Sequence, residues 1–464
     1  MYYECANALA VQSDGKLVAA GMSASSDFAL ARYNPDGSLD LSFGSGGKVI
    51  TDMGGFLEQA VAVGILPDGR IVVVGGRIMS LEQFAMACYK PDGSLDTSFG
   101  DGGKVNNRSL LPDEMAVQSD GRIVVAGLQK LVRYNPDGTP DLSFGSGGEV
   151  NIQFSGAAMT LQSDGCILLA GSLSGDFALA RLFSDGSLDP SFGNGGVVRT
   201  DLLRDEAARC VAVAPDGRIV AAGYSRETTN KQPDQIVLVR YNSDGSLDTS
   251  FGDGGKVTTM QEARLSLTGL VLQPDGGIVV SKESEDFELI RYNRDGSLDY
   301  SFGSNGLVTT DFFEQHDTVQ ALTMVGNDRL VAAGTSWIPD ERGYALESSF
   351  ALACYMTTGT IKEPGFELGF ANSVVQARRG KKVTVTISVN RSGGFTDEVT
   401  VTPPDLSAER IICTSPDPKT TSGREASWKF KVKARAAPGP HQLTFVGRDA
   451  TGRERVATVT LLVD

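Results

Sequence analysis

Two stretches of the 464-residue chain concentrate side chains able to do chemistry. The first is Asp311-Phe312-Phe313-Glu314-Gln315-His316-Asp317. The second is Thr335-Ser336-Trp337-Ile338-Pro339-Asp340-Glu341-Arg342-Gly343-Tyr344. The chain has two His and two Trp, and these stretches hold one of each. Aromatic faces beside hydrogen-bonding groups suit a sugar or peptide ligand. Phe312, Phe313, Glu314, His316, Asp317, Trp337, Asp340, Arg342 and Tyr344 therefore form a candidate ligand-binding set. The competing reading is that the second stretch merely covers its neighbourhood. His316 between Glu314 and Asp317 also has the parts of an acid–base site. No Gly-x-Ser-x-Gly or comparable nucleophile motif accompanies it, so no catalytic residue is assigned.

A third pattern is periodic. Asn34-Pro35-Asp36-Gly37-Ser38-Leu39-Asp40 returns in related form along the chain, and Asn34, Asp36 and Asp40 have the spacing of part of a calcium loop. Calcium takes about six to eight oxygens, several of them from acidic loop positions. The residue that would open such a loop is Arg32, recurring as Arg133, Arg181, Arg240 and Arg291. A guanidinium there pairs more naturally with the turn carboxylates. An Asx-stabilised turn also accounts for Pro35 and Gly37. The turn is the preferred reading and calcium the lesser one; no other cofactor is expected.

Composition excludes several classes. Asp and Glu number 57 against 42 Lys and Arg, a net charge of −15. That argues against nucleic acid, whose binding rests on basic residues neutralising phosphates. Two His exclude multi-histidine metal chemistry. The six Cys form no Cys-x-x-Cys pair; most lie in apolar runs, where buried free thiols are expected. No stretch approaches the roughly 20 apolar residues of a membrane span. Met1 to Val11 lacks a basic segment followed by an apolar run, so no signal peptide is expected within this chain.

The elements that must carry these residues follow from an internal repeat. Asp-Gly dipeptides recur at Asp14, Asp68, Asp120, Asp164, Asp216 and Asp275, with Asn327-Asp328 as a degenerate copy, 44 to 59 residues apart. Ser-Phe-Gly recurs at Phe43, Phe99, Phe144, Phe192, Phe251 and Phe302. The 55 Gly, about 12% against a background of roughly 7%, fit many tight turns. Within one unit, short apolar runs span Ala8–Gln12, Lys16–Gly21, Phe28–Tyr33 and Gly47–Thr51. Runs of that length between turn signals are strands. Four antiparallel strands, a to d, in seven units make a seven-bladed β-propeller. The a–b turns and c–d links keep constant length. The b–c connections vary from 1 to 15 residues, the longest being the second stretch above, and the d–a connections vary too. In an up-and-down blade these variable connections share one face, and variable loops on a rigid scaffold are where binding commonly lives. The recurrent Phe, on the constant face, is read as packing between blades.

Tyr33-Asn34-Pro35-Asp36-Gly37-Ser38-Leu39-Asp40, then Ser42-Phe43-Gly44 and Gly46-Gly47, resembles the bacterial delta-60 repeat over roughly residues 1–360. That resemblance implies a β-propeller family with no assigned function, found mostly in secreted or surface proteins. Two Trp disfavour a tryptophan-rich quinone-cofactor propeller. The seventh unit departs from the pattern. Cys354 to Ile361 replaces the turn, and the Gly-Gly-x-Val strand is missing. Its fourth strand is expected either to come from before Met1 or to be makeshift or absent.

After Pro364 the repeat ends. Val383–Val389 alternates with period two, and further runs at Glu398–Thr402, Ala426–Ala434, His441–Gly447 and Arg455–Val463 read as a small β-sandwich. Ser392-Gly393-Gly394-Phe395-Thr396, Ala437-Pro438-Gly439-Pro440 and Ala457-Thr458-Val459-Thr460-Leu461 resemble bacterial immunoglobulin-like domains. Residues 367–464 carry 15 Lys and Arg against 10 Asp and Glu, net +5, leaving −20 for the rest. Lys429, Lys431 and Lys433 share one strand face, read as solvated surface; the alternative is docking onto an acidic partner. The expected organisation is thus all-β: a propeller over 1–362 and an immunoglobulin-like sandwich over 363–464. The expected function is a non-enzymatic extracellular or cell-surface binding or scaffold protein with a glycan or protein ligand on the variable face. A lyase or hydrolase acting on a polysaccharide or small molecule is the first alternative, a structural spacer the second.

Overall fold

A computed structural model describes the chain apart from residues 1–3, 56, 78–83, 108–109, 128, 203, 227–233, 261–265, 313–315, 340–344, 357–364, 370–373, 393–398, 405, 407–409, 415–417, 422–424, 450–453 and 464. It divides into two compact units, Met1–Thr358 and Gly359–Asp464, each taken by itself below.

The first unit is built from antiparallel sheets in strict chain order. Six are four-stranded. They comprise β1 to β4 (Cys5–Val11, Leu17–Met22, Phe28–Tyr33, Lys48–Thr51), β5 to β8 (Glu58–Ile65, Ile71–Arg77, Phe84–Tyr89, Lys104–Asn107) and β9 to β12 (Glu114–Val117, Ile123–Gly127, Lys130–Tyr134, Glu149–Asn151). Then come β13 to β16 (Ser155–Leu161, Ile167–Leu173, Asp176–Leu182, Val197–Thr200), β17 to β20 (Asp205–Val213, Ile219–Arg226, Gln235–Tyr241, Lys256–Met260) and β21 to β24 (Leu267–Leu272, Ile278–Lys282, Phe287–Tyr292, Leu307–Thr310). The last sheet, β25 to β27 (Asp317–Val325, Arg329–Pro339, Ala345–Met356), has three strands among the described residues. Each sheet packs on the next through its first strand, and β1 packs on β25, so the succession closes on itself as a β-propeller.

The two middle strands of a sheet are buried on both faces, as in Leu17–Met22 and Phe84–Tyr89. Their Val, Ile, Leu and Ala side chains form apolar clusters between neighbouring sheets. The glycine that ends each second-strand run has a steric cause. A methyl group on Gly21, Gly75, Gly223 or Gly334 would lie 1.8–2.0 Å from a main-chain oxygen of the adjoining first strand. That strand bulges towards the glycine, as the shift between Ala208 and Cys210 marks in β17.

One expectation changes. The stretch Thr335–Tyr344 was expected as a long loop, but β26 runs on to Pro339 and β27 begins at Ala345, leaving only 340–344 between them. Thr335, Ser336, Trp337 and Ile338 pair in register with Phe350, Ser349, Ser348 and Glu347. Thr, Trp and Ile favour the pleated conformation, so the hairpin is lengthened rather than looped.

The second unit has two sheets. One is β28 (Gly365–Gly369), β30 (Lys382–Ser392), β34 (Glu425–Val432) and β32 (Ile411–Cys413). The other is β29 (Val374–Ala377), β36 (Glu454–Val463), β35 (Gly439–Asp449), β31 (Val399–Thr402) and β33 (Lys419–Thr421). Val385, Ile387, Trp428 and Phe430 of the first share one core with Val399, Leu443, Phe445 and Leu461 of the second. Lys429, Lys431 and Lys433 are exposed on the opposite face of the first sheet.

Candidate functional site

The two faces of the first unit are built differently. On the face of the a–b and c–d links, one clasp recurs at four joints between consecutive sheets. Arg32 Nε donates to Asp40 Oδ2 at 2.8 Å, its guanidinium lies 4.4 Å from the Phe43 ring centroid, and its Nη1 donates to the carbonyl of Pro91 in the next sheet. Arg133, Arg181 and Arg240 repeat this with Asp141 and Phe144, Asp189 and Phe192, Asp248 and Phe251. The turn glycine of the next sheet closes the contact. Gly93, at φ 88°, places its Cα so that a methyl group would lie 2.9 Å from Phe43. Phe43, Phe99, Phe144, Phe192 and Phe251 are wholly buried. Phe302, facing the last sheet with its degenerate turn, is half-buried. Within the turn itself, Asp36 Oδ1 accepts from the Ser38 amide and hydroxyl, and Asp40 Oδ1 from those of Ser42. These hydrogen bonds hold both carboxyls below the usual carboxylate range, Ser38 acting on Asp36 and Ser42 first on Asp40.

The other face carries the b–c and d–a connections. Here three equivalent corners between consecutive sheets gather acidic side chains: Asp27, Asp52 and Glu58; Asp176, Asp201 and Glu206; Asp286, Asp311 and Asp317. In each trio the first residue stands at the start of the third strand of one sheet, Asp27 and Asp286 just before it and Asp176 as its first residue, the second follows the fourth strand, and the third lies on the first strand of the next sheet. One oxygen from each residue lies within 4.8 Å of the others. The third residue is buried in every case, with 1%, 0% and 0% exposure for Glu58, Glu206 and Asp317.

That buried acid ties two sheets together. Its main-chain amide donates to the preceding b–c connection, Glu58 to Ser26 O, Glu206 to Gly175 O and Asp317 to Glu285 O. Its carboxylate accepts a main-chain amide of the d–a connection. Met53 N donates to Glu58 Oε2, Arg204 N to Glu206 Oε1, and Phe312 N to Asp317 Oδ2 at 2.7 Å. The second carboxylate oxygen differs between trios. Glu58 Oε1 and Asp317 Oδ1 are buried without a hydrogen-bond partner. In the middle trio the second oxygen, Glu206 Oε2, accepts the Leu202 amide at 3.4 Å, Ser225 Oγ reaches Oε1 at 3.5 Å, and Arg199 forms an ion pair with Asp176. Burial pushes the Glu58 carboxyl up, and the charges of Asp52 and Asp27 add to that. Asp286 is pushed up too, by burial first and then by Asp311 and Asp317.

Four of the nine residues expected from sequence fall among the described ones. Asp317 is the buried acid of the last trio. Phe312 packs edge-on against Phe287, ring centroids 5.1 Å apart, and its amide caps Asp317. His316 is exposed and precedes Asp317, while half-buried Trp337 follows Ser336. Asp317 pairs with Ser336, so the register sets His316 beside Trp337 at one end of the β25–β26 ladder. Phe313, Glu314, Asp340, Arg342 and Tyr344 lie outside the described residues. Sequence reasoning named Asp311 and Asp317 but missed the repeated trio. Its signal was an Asp-Phe pair opening the third strand (Asp27-Phe28, Asp176-Phe177, Asp286-Phe287) and a Thr-Asp pair closing the fourth (Thr51-Asp52, Thr200-Asp201, Thr310-Asp311).

Comparison with protein families matches six segments, residues 12–43, 66–99, 118–144, 162–192, 214–251 and 273–302, to a family described as a domain of unknown function (DUF5122) beta-propeller. Every segment runs from near an a–b turn to the Phe of Ser-Phe-Gly. No curated protein sequence matches the chain. Among solved structures the chain is similar to a polysaccharide lyase, an ulvan lyase, at 11% identity over 74% of this chain and 90% of that one, with a TM-score of 0.44. It is similar to a protein of unknown function from Dyadobacter fermentans at 12% identity, over 75% and 94% of the two chains, TM-score 0.41. It is also similar to the Nup133 β-propeller domain of Vanderwaltozyma polyspora at 10% identity, over 75% and 94%, TM-score 0.38.

Proposed function

We propose that the chain is a non-enzymatic binding or scaffold protein of the extracellular space or cell surface. It is a seven-bladed propeller of the delta-60 repeat type followed by an immunoglobulin-like sandwich. A glycan or protein ligand sits on the face of the b–c and d–a connections. The observation that carries this reading is the contrast between the two faces. One is spent on clasps of constant length that hold sheet to sheet. The other bears all the variation in length and sets exposed His316 beside Trp337. An aromatic face with polar neighbours suits a sugar ring or a peptide side chain. Variable connections on a fixed frame are the places where recognition changes without loss of fold.

The test is a glycan-array screen of the intact chain beside Trp337→Ala. Reproducible binding lost in the variant supports the reading and its site. Binding that survives keeps the function and removes the site. Turnover of a bound glycan, abolished in His316→Ala, replaces binding by catalysis. Neither binding nor turnover, with self-association, leaves a structural spacer.

A further inference from the structure

We infer that two of the acidic corners, Asp27–Asp52–Glu58 and Asp286–Asp311–Asp317, each bind a calcium ion between consecutive propeller sheets. Four observations carry this independently of the ligand proposed above.

The first is the donor set. Each corner offers three carboxylate oxygens, hard ligands that suit calcium and magnesium and not the softer metals. The second is their separation. Oxygens on opposite sides of one calcium ion, each at about 2.4 Å, stand about 4.8 Å apart, whereas around magnesium the span is nearer 4 Å. The oxygens of each trio lie within 4.8 Å of one another, so all three can reach one calcium ion.

The third is the orphaned oxygen. Glu58 and Asp317 are buried, yet Glu58 Oε1 and Asp317 Oδ1 have no hydrogen-bond partner. A buried carboxylate oxygen left unpaired among other carboxylates is costly and calls for a positive partner. In the last corner the Oγ of Ser336, directly across the ladder from Asp317, is likewise buried without a partner and adds a neutral oxygen. In the first corner Lys104 Nζ donates to the Asp52 carbonyl at 2.6 Å and not to a carboxylate.

The fourth is the middle corner, which acts as an internal comparison. There Arg199 forms an ion pair with Asp176, and the Leu202 amide donates to the second oxygen of Glu206 at 3.4 Å. The same frame, given the same three acids, is supplied with a cation by the chain itself. The first corner carries the same acids with an orphaned oxygen and, among the described residues, no ion pair, and the last corner carries two orphaned oxygens, Asp317 Oδ1 and Ser336 Oγ.

The test uses the intact chain freed of metal with a chelator. Calorimetric titration with calcium chloride should fill two sites, and thermal unfolding should move to higher temperature with calcium and less with magnesium. Asp27→Asn and Asp286→Asn remove one ligand each from a half-buried position and leave the buried caps intact. Each should weaken its own site at least about tenfold. The double variant should keep the metal-free melting temperature and lose the calcium shift. Far-UV circular dichroism confirms folding of every variant. Absence of calcium binding by the folded chain at millimolar calcium overturns the inference. So does calcium binding that the double variant retains unchanged.

Discussion

At the scale of single residues the propeller holds one acid whose titration should be visible near neutrality. Glu114, on the innermost strand β9, is pushed up to about 7 by burial, with the charge of Asp113 adding and the Met115 amide opposing. Its charge in turn helps burial push the thiol of Cys210 on β17 up to about 12. The sign follows from which state holds the proton. Between about pH 4.5 and 7 the unfolded chain has released this proton and the folded chain has not, so stability falls as pH rises through that window. Above it the folded protein carries a poorly solvated charge. Glu114→Gln should therefore stabilise the chain near pH 8 by up to about 3 kcal/mol and leave it unchanged near pH 4. Urea unfolding at the two pH values measures this, and an equal gain at both would show that the effect is packing and not charge.

At the scale of elements the clasp is the unit that recurs. Arg240 and Asp248 are both buried, and Arg240 also stacks on Phe251, reaches Ser250 and crosses to the Arg294 carbonyl. Replacing it with Met leaves Asp248 only the longer pair with Arg218 at 3.3 Å, an expected loss of about 2–3 kcal/mol. Arg240→Lys should recover only part of that, because an ammonium can neither fork nor stack as the planar guanidinium does. The paired change Arg240→Met with Asp248→Leu should cost less than Arg240→Met alone, and chemical denaturation of the three variants decides the point. Asp248 is held down to about 2, by the Ser250 hydroxyl first and then by its amide and Arg240. Its contribution is full above about pH 4 and lost as pH falls through 2. Much of this clasp was legible beforehand. Arg32 and Asp40 stand eight positions apart in one repeat, and a guanidinium recurring beside turn carboxylates has few other uses. The buried role of Phe43 was equally readable from its fixed offset. The acidic corners were not. Their first two acids always stand 25 positions apart, but the third, Glu58, Glu206 or Asp317, belongs to the next repeat and lies across a connection of varying length, so the trio is assembled only by folding. The Tyr–Thr bridges were hidden for the same reason. Tyr89, Tyr241, Tyr292 and Tyr355 each hydrogen-bond a Thr on the outer strand of the preceding sheet, a contact that exists only once two repeats are packed.

At the scale of the whole propeller the question is how the ring is held where its two ends meet. At five of the other six joints a sheet is fastened to the next by the clasp, by the Tyr–Thr bridge or by both; between the β5–β8 and β9–β12 sheets, where Cys88 stands in the Arg position, Tyr134 stacks on Phe84 within a large apolar cluster instead. Between the last sheet and the first the fastening is different. Arg329, on the second strand and not the third, reaches the Pro35 carbonyl, the position that Arg32 meets as Pro91 in the next sheet. Ser348 Oγ takes up both the amide and the carbonyl of Glu4, at 2.7 and 2.9 Å. Ala6, Ala19 and Ala333 pack between the two sheets with Tyr33 and Phe350 at their edge. Tyr33 stands where its counterparts meet a Thr, but here it lines a cavity of about 260 Å³ together with Glu4, Ile50 and Phe350. Two small clusters, Ala6, Ala19 and Ala333 in one and Leu17, Val325 and Val331 in the other, beside a cavity make a weaker joint than the larger clusters of Val, Leu and Phe between other sheets. Local opening follows local contact density, so the ring should open here first. Hydrogen exchange followed by mass spectrometry should find β1 and β27 exchanging well before β14 and β15, whose Leu168, Leu169, Phe177 and Leu179 are wholly buried. Arg329→Met should widen that difference without altering exchange in the β13–β16 sheet. Uniform exchange across all sheets, or a variant that speeds every sheet alike, would mean that the ring unfolds as one unit and that the joint is as strong as the rest. The calcium sites give this comparison a direction, because both lie at joints away from the seam. Calcium should slow exchange at the β4–β5 and β24–β25 connections and leave the β1–β27 joint as the first to open.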